Sequence, residues 1–131
     1  MVKRGDIWLI NLDPTVGSEI KKTRPCVVVS PPELNNHLRT VMVAPMTSKG
    51  FDAPFRPQLT FQGTHGRILL DQLRAVDKTR FVKKLGSVSS STHQKVLGVL
   101  QEIFAAYWSR FNTRRSFALI QTASQHFKMT G

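Results

Sequence analysis

Apolar positions along the chain fall in short clusters separated by polar, glycine-bearing or proline-bearing breaks, a pattern of short strands rather than long helices. Ile7-Trp8-Leu9-Ile10-Asn11-Leu12 is apolar on both parities until Asn11, which predicts a strand covered on both faces or curled into a barrel. Cys26-Val27-Val28-Val29-Ser30 is rich in branched residues and stops at Pro31-Pro32, which cannot continue a ladder. Glu33 to Asn36 predicts at most one helical turn, with proline ahead of it and asparagine at its end. Thr40 to Met46 reads as a third strand, and Pro45 near its end predicts an edge or a bulge, because proline donates nothing to the ladder. Phe51 to Pro57 has neither helical nor alternating character and reads as a loop. Further short strands are expected at Gln58 to Phe61, Arg67 to Leu70, Leu73 to Val76 and Phe81 to Val88, with Gln62-Gly63-Thr64-His65-Gly66 as one spacer. The one clear helix comes late. Ser91 with Gln94 predicts a capping box, and Val96, Leu100, Ile103 and Tyr107, beside Leu97, Phe104 and Trp108, form a wide apolar stripe. That stripe suits the open side of a small barrel or a subunit interface.

The chain has 131 residues and 40% hydrophobic content, enough for one compact core. No stretch approaches the roughly 20 apolar residues that span a bilayer, and the first residues run into charge without a leader pattern, so a cytoplasmic protein with no membrane partner is expected. Lys and Arg number 19 against 8 Asp and Glu, a net charge of +11, and a polyanion is the expected partner. The segment from Arg110 to Gly131 contributes four cations and no acid, leaving +7 on residues 1 to 109. This basic tail gives no assignable pattern, and a disordered or loosely docked chain end is expected there. The excess charge is therefore not only a tail effect. The single cysteine, Cys26, lies inside an apolar run and reads as a small buried hydrophobe.

The candidate chemistry is concentrated in Asp13 to Pro25, read as the loop between the first two strands. It gathers Glu19, Lys21, Lys22 and Arg24 with the hydroxyls of Thr15, Ser18 and Thr23, and Gly17 supplies conformational freedom. His37, His65, His93 and His126 are far apart and lack ligand-spaced partners, so no metal site and no cofactor are expected. No phosphate-binding glycine loop, dinucleotide fingerprint or serine elbow is present in the sequence. Arginines, hydroxyls and one or two carboxylates at strand ends suit phosphodiester chemistry without metal. RNA cleavage asks little more, because the substrate carries its own 2′-hydroxyl nucleophile.

Arg4-Gly5-Asp6-Ile7-Trp8, Asp13-Pro14-Thr15-Val16-Gly17-Ser18-Glu19, Arg24-Pro25 with the run Cys26 to Ser30, Val43-Ala44-Pro45-Met46-Thr47-Ser48 and Asp71-Gln72-Leu73-Arg74-Ala75-Val76-Asp77 stand in one order. On these stretches the chain resembles the MazF/PemK toxins, the mRNA interferases of type II toxin–antitoxin systems, over roughly residues 2 to 109. The resemblance implies a mainly β fold, a small SH3-like β-barrel over residues 1 to 109 with a short helix after the second strand and a long C-terminal helix. It implies a metal-independent, sequence-specific endoribonuclease, usually a homodimer, that cuts single-stranded RNA and is inhibited by an acidic antitoxin. Family roles fall on Arg24 as the catalytic arginine and Thr47 as its hydroxyl partner, with Glu19 as the acid of the first loop. Lys21, Lys22, Ser48, Lys49, Arg56, Asp71, Gln72 and Arg74 are expected to contact RNA, and Gly17 and Pro25 to shape the loop. The alternative is a toxin of the same fold that jams a protein such as DNA gyrase without cutting RNA.

Overall fold

The structure, a computed structural model, describes residues 1 to 106. Tyr107, Trp108 and the basic segment from Arg110 onward lie outside the described residues. Seven strands form one antiparallel sheet: β1 (Asp6–Asn11), β2 (Thr23–Val28), β3 (Thr40–Thr47), β4 (Gln58–Phe61), β5 (Thr64–Ile68), β6 (Arg74–Asp77) and β7 (Phe81–Ser87). They run in the order β4-β5-β3-β2-β1-β7, with β6 beside β3. A one-turn helix, α1 (Pro32–Asn35), follows β2, and α2 (Ser90–Ile103) follows β7. The sheet curls, and its two end strands approach through side chains: a Cβ on Gly86 of β7 would stand 3.1 Å from the Phe61 ring of β4. This is the small SH3-like barrel with its appended helices.

The doubly apolar first strand and the branched second strand have the same cause. The central strands are buried on both faces. Ile7, Val27, Val29, Ala44 and Met46 enter one core cluster, while Ile10, Leu12, Cys26, Val28, Val41 and Val43 enter another. Strand alternation sends successive residues of β2 and β3 to opposite sides, so neither face has room for polar residues. Helix α2 closes the first cluster with Val96 and Val99 buried and Leu100 and Ile103 packed beside them, the i, i+3, i+4, i+7 positions of one helical face.

Several elements differ from the sequence reading. Helix α2 is capped by Ser89, whose hydroxyl accepts from Thr92 N at 3.2 Å, rather than by Ser91. It stops at Ile103, leaving Phe104 71% exposed at its end, so Phe104 is not part of the buried stripe. Pro45 does not mark an edge. It sits in central strand β3, where β6 (opposite Thr40 to Val43) gives way to β5 (opposite Met46 and Thr47). A missing N–H costs little at the break between two neighbours. Thr64, His65 and Gly66 belong to β5, because Gln62 and Gly63 alone make the turn, at φ 50° and 80°. Two consecutive positive φ angles are the twist a two-residue hairpin needs. Thr23, Arg24 and Pro25 begin β2 rather than ending a loop, and Pro25 stands one position before the first β2–β3 pair at Cys26.

Candidate functional site

The loop between β1 and β2 is closed at its neck by main-chain and carboxylate bonds. Leu12 N donates to Lys22 O at 3.0 Å, and Lys22 N donates to Asp13 Oδ1 at 2.9 Å. Lys22 takes φ 69° to do so, a conformation uncommon for a residue with a side chain. Gly17 also has a positive φ, 60°. Glu19 turns back on its own loop, with its Oε1 accepting from Val16 N at 3.0 Å. Lys21, Lys22 and Glu19 are exposed.

A second anchor comes from far along the chain. Gln72 Oε1 accepts from Ile20 N at 2.8 Å, across 52 residues of sequence. Arg74 donates to Leu12 O at 3.2 Å. The short 3-10 turn Leu70–Gln72 and the start of β6 thus hold both ends of the first loop. Between them lies an open cleft of about 380 Å³ lined by Glu19, Ile20, Asp71, Gln72, Leu73 and Arg74. Four sequence-predicted residues, Glu19, Asp71, Gln72 and Arg74, meet there.

Arg24 stands at the entry to β2, half-buried, with Nε donating to Lys21 O at 2.9 Å. Burial pushes the Cys26 thiol up to about 12, opposed by the guanidinium groups of Arg74 and Arg24. Arg24 and Cys26 are two residues apart on β2, and Arg74 pairs with Val43, itself opposite Val28, so register puts all three on the same side of the sheet. Thr47 is reached by register. Strands β2 and β3 pair Cys26 with Pro45, Val27 with Ala44 and Val28 with Val43, so the Cys26–Pro45 pair lies two residues from Arg24 on one strand and two from Thr47 on the other. Thr47 Oγ1 accepts from Lys49 N at 3.1 Å, which folds Ser48 and Lys49 back over the strand end.

The structure does not leave every predicted phosphate contact free. Arg56 is bound at both prongs by Asp71, at 3.0 and 2.8 Å, and its side chain is only 11% exposed. It joins the loop before β4 to the cleft wall. Arg67, which the sequence reading placed only in a strand, pairs opposite Thr47, donates to Asp52 at 2.7 Å and reaches Ser48 O at 3.4 Å. The Gln62-Gly63 turn is the signal that would have found it, since a two-residue hairpin fixes the β4–β5 register. Among the described residues, no three His, Cys, Asp or Glu side chains gather as a metal-binding group, and no helix is long and apolar enough to cross a membrane.

The fold and cleft together define a small curled β-barrel with an open, carboxylate-lined cleft beside its first loop. Residues 3 to 104 match the family of PemK-like, MazF-like toxins of type II toxin–antitoxin systems, and the chain belongs to it. It is 40% identical over 108 residues to Endoribonuclease PemK of Escherichia coli, a match covering 78% of this chain and 81% of that protein. It is 31% identical over 102 residues to Endoribonuclease MazF of Staphylococcus saprophyticus, covering 73% and 85%. Among solved structures, MazF of Deinococcus radiodurans superposes with a TM-score of 0.70 at 27% identity, covering 78% of this chain and 94% of that one. A MazE-MazF crystal structure from the same organism superposes at 0.66 and 26% identity, covering 78% and 94%.

Proposed function

We propose that this protein is the toxin of a toxin–antitoxin pair, a cytoplasmic endoribonuclease that cuts single-stranded RNA at a short sequence by attack of the substrate's own 2′-hydroxyl. The observation that carries the reading is the open cleft lined by Glu19, Asp71, Gln72 and Arg74, with Arg24 bonded to Lys21 of the loop that bounds it. The two named relatives given above are both endoribonucleases. The 2′ oxygen attacks phosphorus, Glu19 takes its proton, and the bond to the 5′ oxygen breaks as that oxygen gains a proton from water. The products are a 2′,3′-cyclic phosphate and a 5′-hydroxyl. Arg24 stabilises charge on the nonbridging and departing oxygens, a task suited to a planar fork that stays charged. A guanidinium stays protonated at neutral pH and has no acceptor site, which leaves the base role to a carboxylate. A carboxylate has about four acceptor sites, so the bond from Val16 does not exhaust Glu19. Thr47 adds a neutral donor to the same oxygens, and Lys21, Lys22, Ser48 and Lys49 hold the strand.

The catalytic unit is residues 1 to 109, acting as a homodimer. An acidic antitoxin inhibits it by occupying the cationic groove, a reading supported by the net charge of +11 and by the MazF relative solved with MazE. Incubation with single-stranded RNA in the presence of a chelator tests the activity. Discrete fragments with cyclic-phosphate and 5′-hydroxyl ends are expected, and RNA left intact at high protein concentration would overturn the reading in favour of a toxin acting on a protein target.

A further inference from the structure

Phe51 stands out among the large hydrophobic residues of the loop that follows the candidate catalytic strand end. It is 60% exposed. It is nevertheless held, because the Arg56 guanidinium carbon lies 4.2 Å from its ring centroid. The Phe55 ring flanks the same guanidinium at 5.8 Å. Arg56 cannot swing away, since Asp71 grips Nε and Nη2 at 3.0 and 2.8 Å. Gly50, just before the ring, has φ 96°, and a Cβ there would stand 3.3 Å from Arg56 Nη1. The turn that lays Phe51 on the guanidinium is therefore one that favours glycine.

A solvent-exposed phenyl ring costs free energy unless something covers it. Here one face rests on a fixed cation, and the rest of the ring is open. The cation beneath withdraws electron density through the ring quadrupole, which improves stacking with an electron-rich partner on the opposite face. The carboxylate that fixes the stack, Asp71, also lines the cleft. We propose that Phe51 is a base-stacking platform at the rim of the cleft, with Arg56 and Asp71 as its positioning residues, and that it selects for an unpaired purine at one nucleotide flanking the scissile bond. A purine is favoured because its larger ring covers more of the phenyl face. The inference rests on the ribonuclease reading above and adds a specificity determinant to it. Arg56 accordingly acts through Phe51 rather than as a phosphate holder.

The test uses the full chain and a cleavable single-stranded RNA, chosen from a randomised pool by sequencing its cut ends. Each nucleotide flanking the cut is then replaced in turn by an abasic residue. For the wild type, loss of one particular base raises KM about tenfold, the scale of one stacked base. Phe51→Ala raises KM by the same factor on the intact RNA, and the abasic change at that position then costs it nothing further. Phe51→Trp retains the wild-type KM and the position dependence, which a merely structural role would not produce. Asp71→Asn, which leaves Arg56 one acceptor in place of two and removes the opposing charge, loses part of the same position's contribution. Equal KM for Phe51→Ala and wild type, or penalties that simply add at every position, would overturn the platform while leaving the nuclease intact. A wild type that cuts no RNA would overturn both.

Discussion

At the scale of single residues, the mechanism proposed above assigns charge stabilisation and proton transfer to different groups. Arg24 lies half-buried at a strand start, bonded through Nε only to the backbone of Lys21, so its removal leaves no buried partner unpaired. Arg24→Ala should keep the wild-type melting temperature and lower kcat by roughly 10²- to 10³-fold or more, the usual cost of deleting a transition-state donor. Glu19→Gln keeps an oxygen to accept from Val16 N and loses the base. It should slow cleavage far more than it weakens RNA binding, and a gel-shift assay beside a cleavage assay separates the two; unchanged cleavage would remove Glu19 from the mechanism. Cys26 gives a pH-dependent check on the same neighbourhood. Its thiol is raised by burial from 9.0 to about 12 in the folded protein, so the folded state holds the proton that the unfolded chain gives up. The stability tied to that proton is complete below pH 9.0 and is lost as pH rises toward about 12. Native protein should resist a thiol-reactive dye at pH 8 until denaturant is added, and Cys26→Ala should flatten the alkaline fall in unfolding free energy.

At the scale of elements, the site depends on where strands end. Gly66 of β5 faces the backbone of β3, where an added Cβ would come within 2.9 Å of Thr47 O. That contact is with backbone and cannot be relieved by a rotamer change. Gly66→Ala should therefore push β5 from the end of β3, destabilise the fold by about 1–3 kcal/mol and displace Thr47. Denaturant unfolding should report the first effect and a fall in kcat the second, whereas Gly63→Ala, with nothing within 4 Å, should show only the backbone strain of its turn. The same strand ends mark what the sequence disclosed. Strands β1 to β3 were legible because burial on both faces leaves long apolar runs, and α1 because prolines and asparagine bracket it. The grouping of Glu19, Asp71, Gln72 and Arg74 was legible only through ordered motifs, since nothing local in either segment says that Gln72 bonds Ile20. Pro45 misled because the rule for proline in strands concerns the missing ladder bond, and it sits where the neighbouring strand changes. Arg56 misled for a related reason: a cation in a polar loop looks free until its carboxylate is found 15 residues away.

At the scale of the whole molecule, the charge of +11 makes binding a matter of ionic strength, and differently for the two partners proposed. Single-stranded RNA releases condensed counterions at each phosphate that a cation replaces, so log K falls by about 0.7 per contact for each tenfold rise in salt. Lys21→Ala/Lys22→Ala should flatten that slope by about 1.4 if both lysines, exposed on the first loop, hold phosphates. An acidic peptide segment has lower charge density than RNA and condenses few counterions, and any apolar surface it buries is not weakened by salt. Its affinity should fall less steeply. Raising salt from about 0.05 to about 0.3 M should thus shift competition toward the antitoxin, because both the screening length and the counterion term change against RNA. Fluorescence anisotropy with labelled RNA and Arg24→Ala toxin, titrated with the acidic peptide at each salt concentration, reads the effect directly. A lower peptide concentration for half-displacement at high salt is expected. The reverse order would mean that the antitoxin is held mainly by charge and does not bury apolar surface on this face of the barrel.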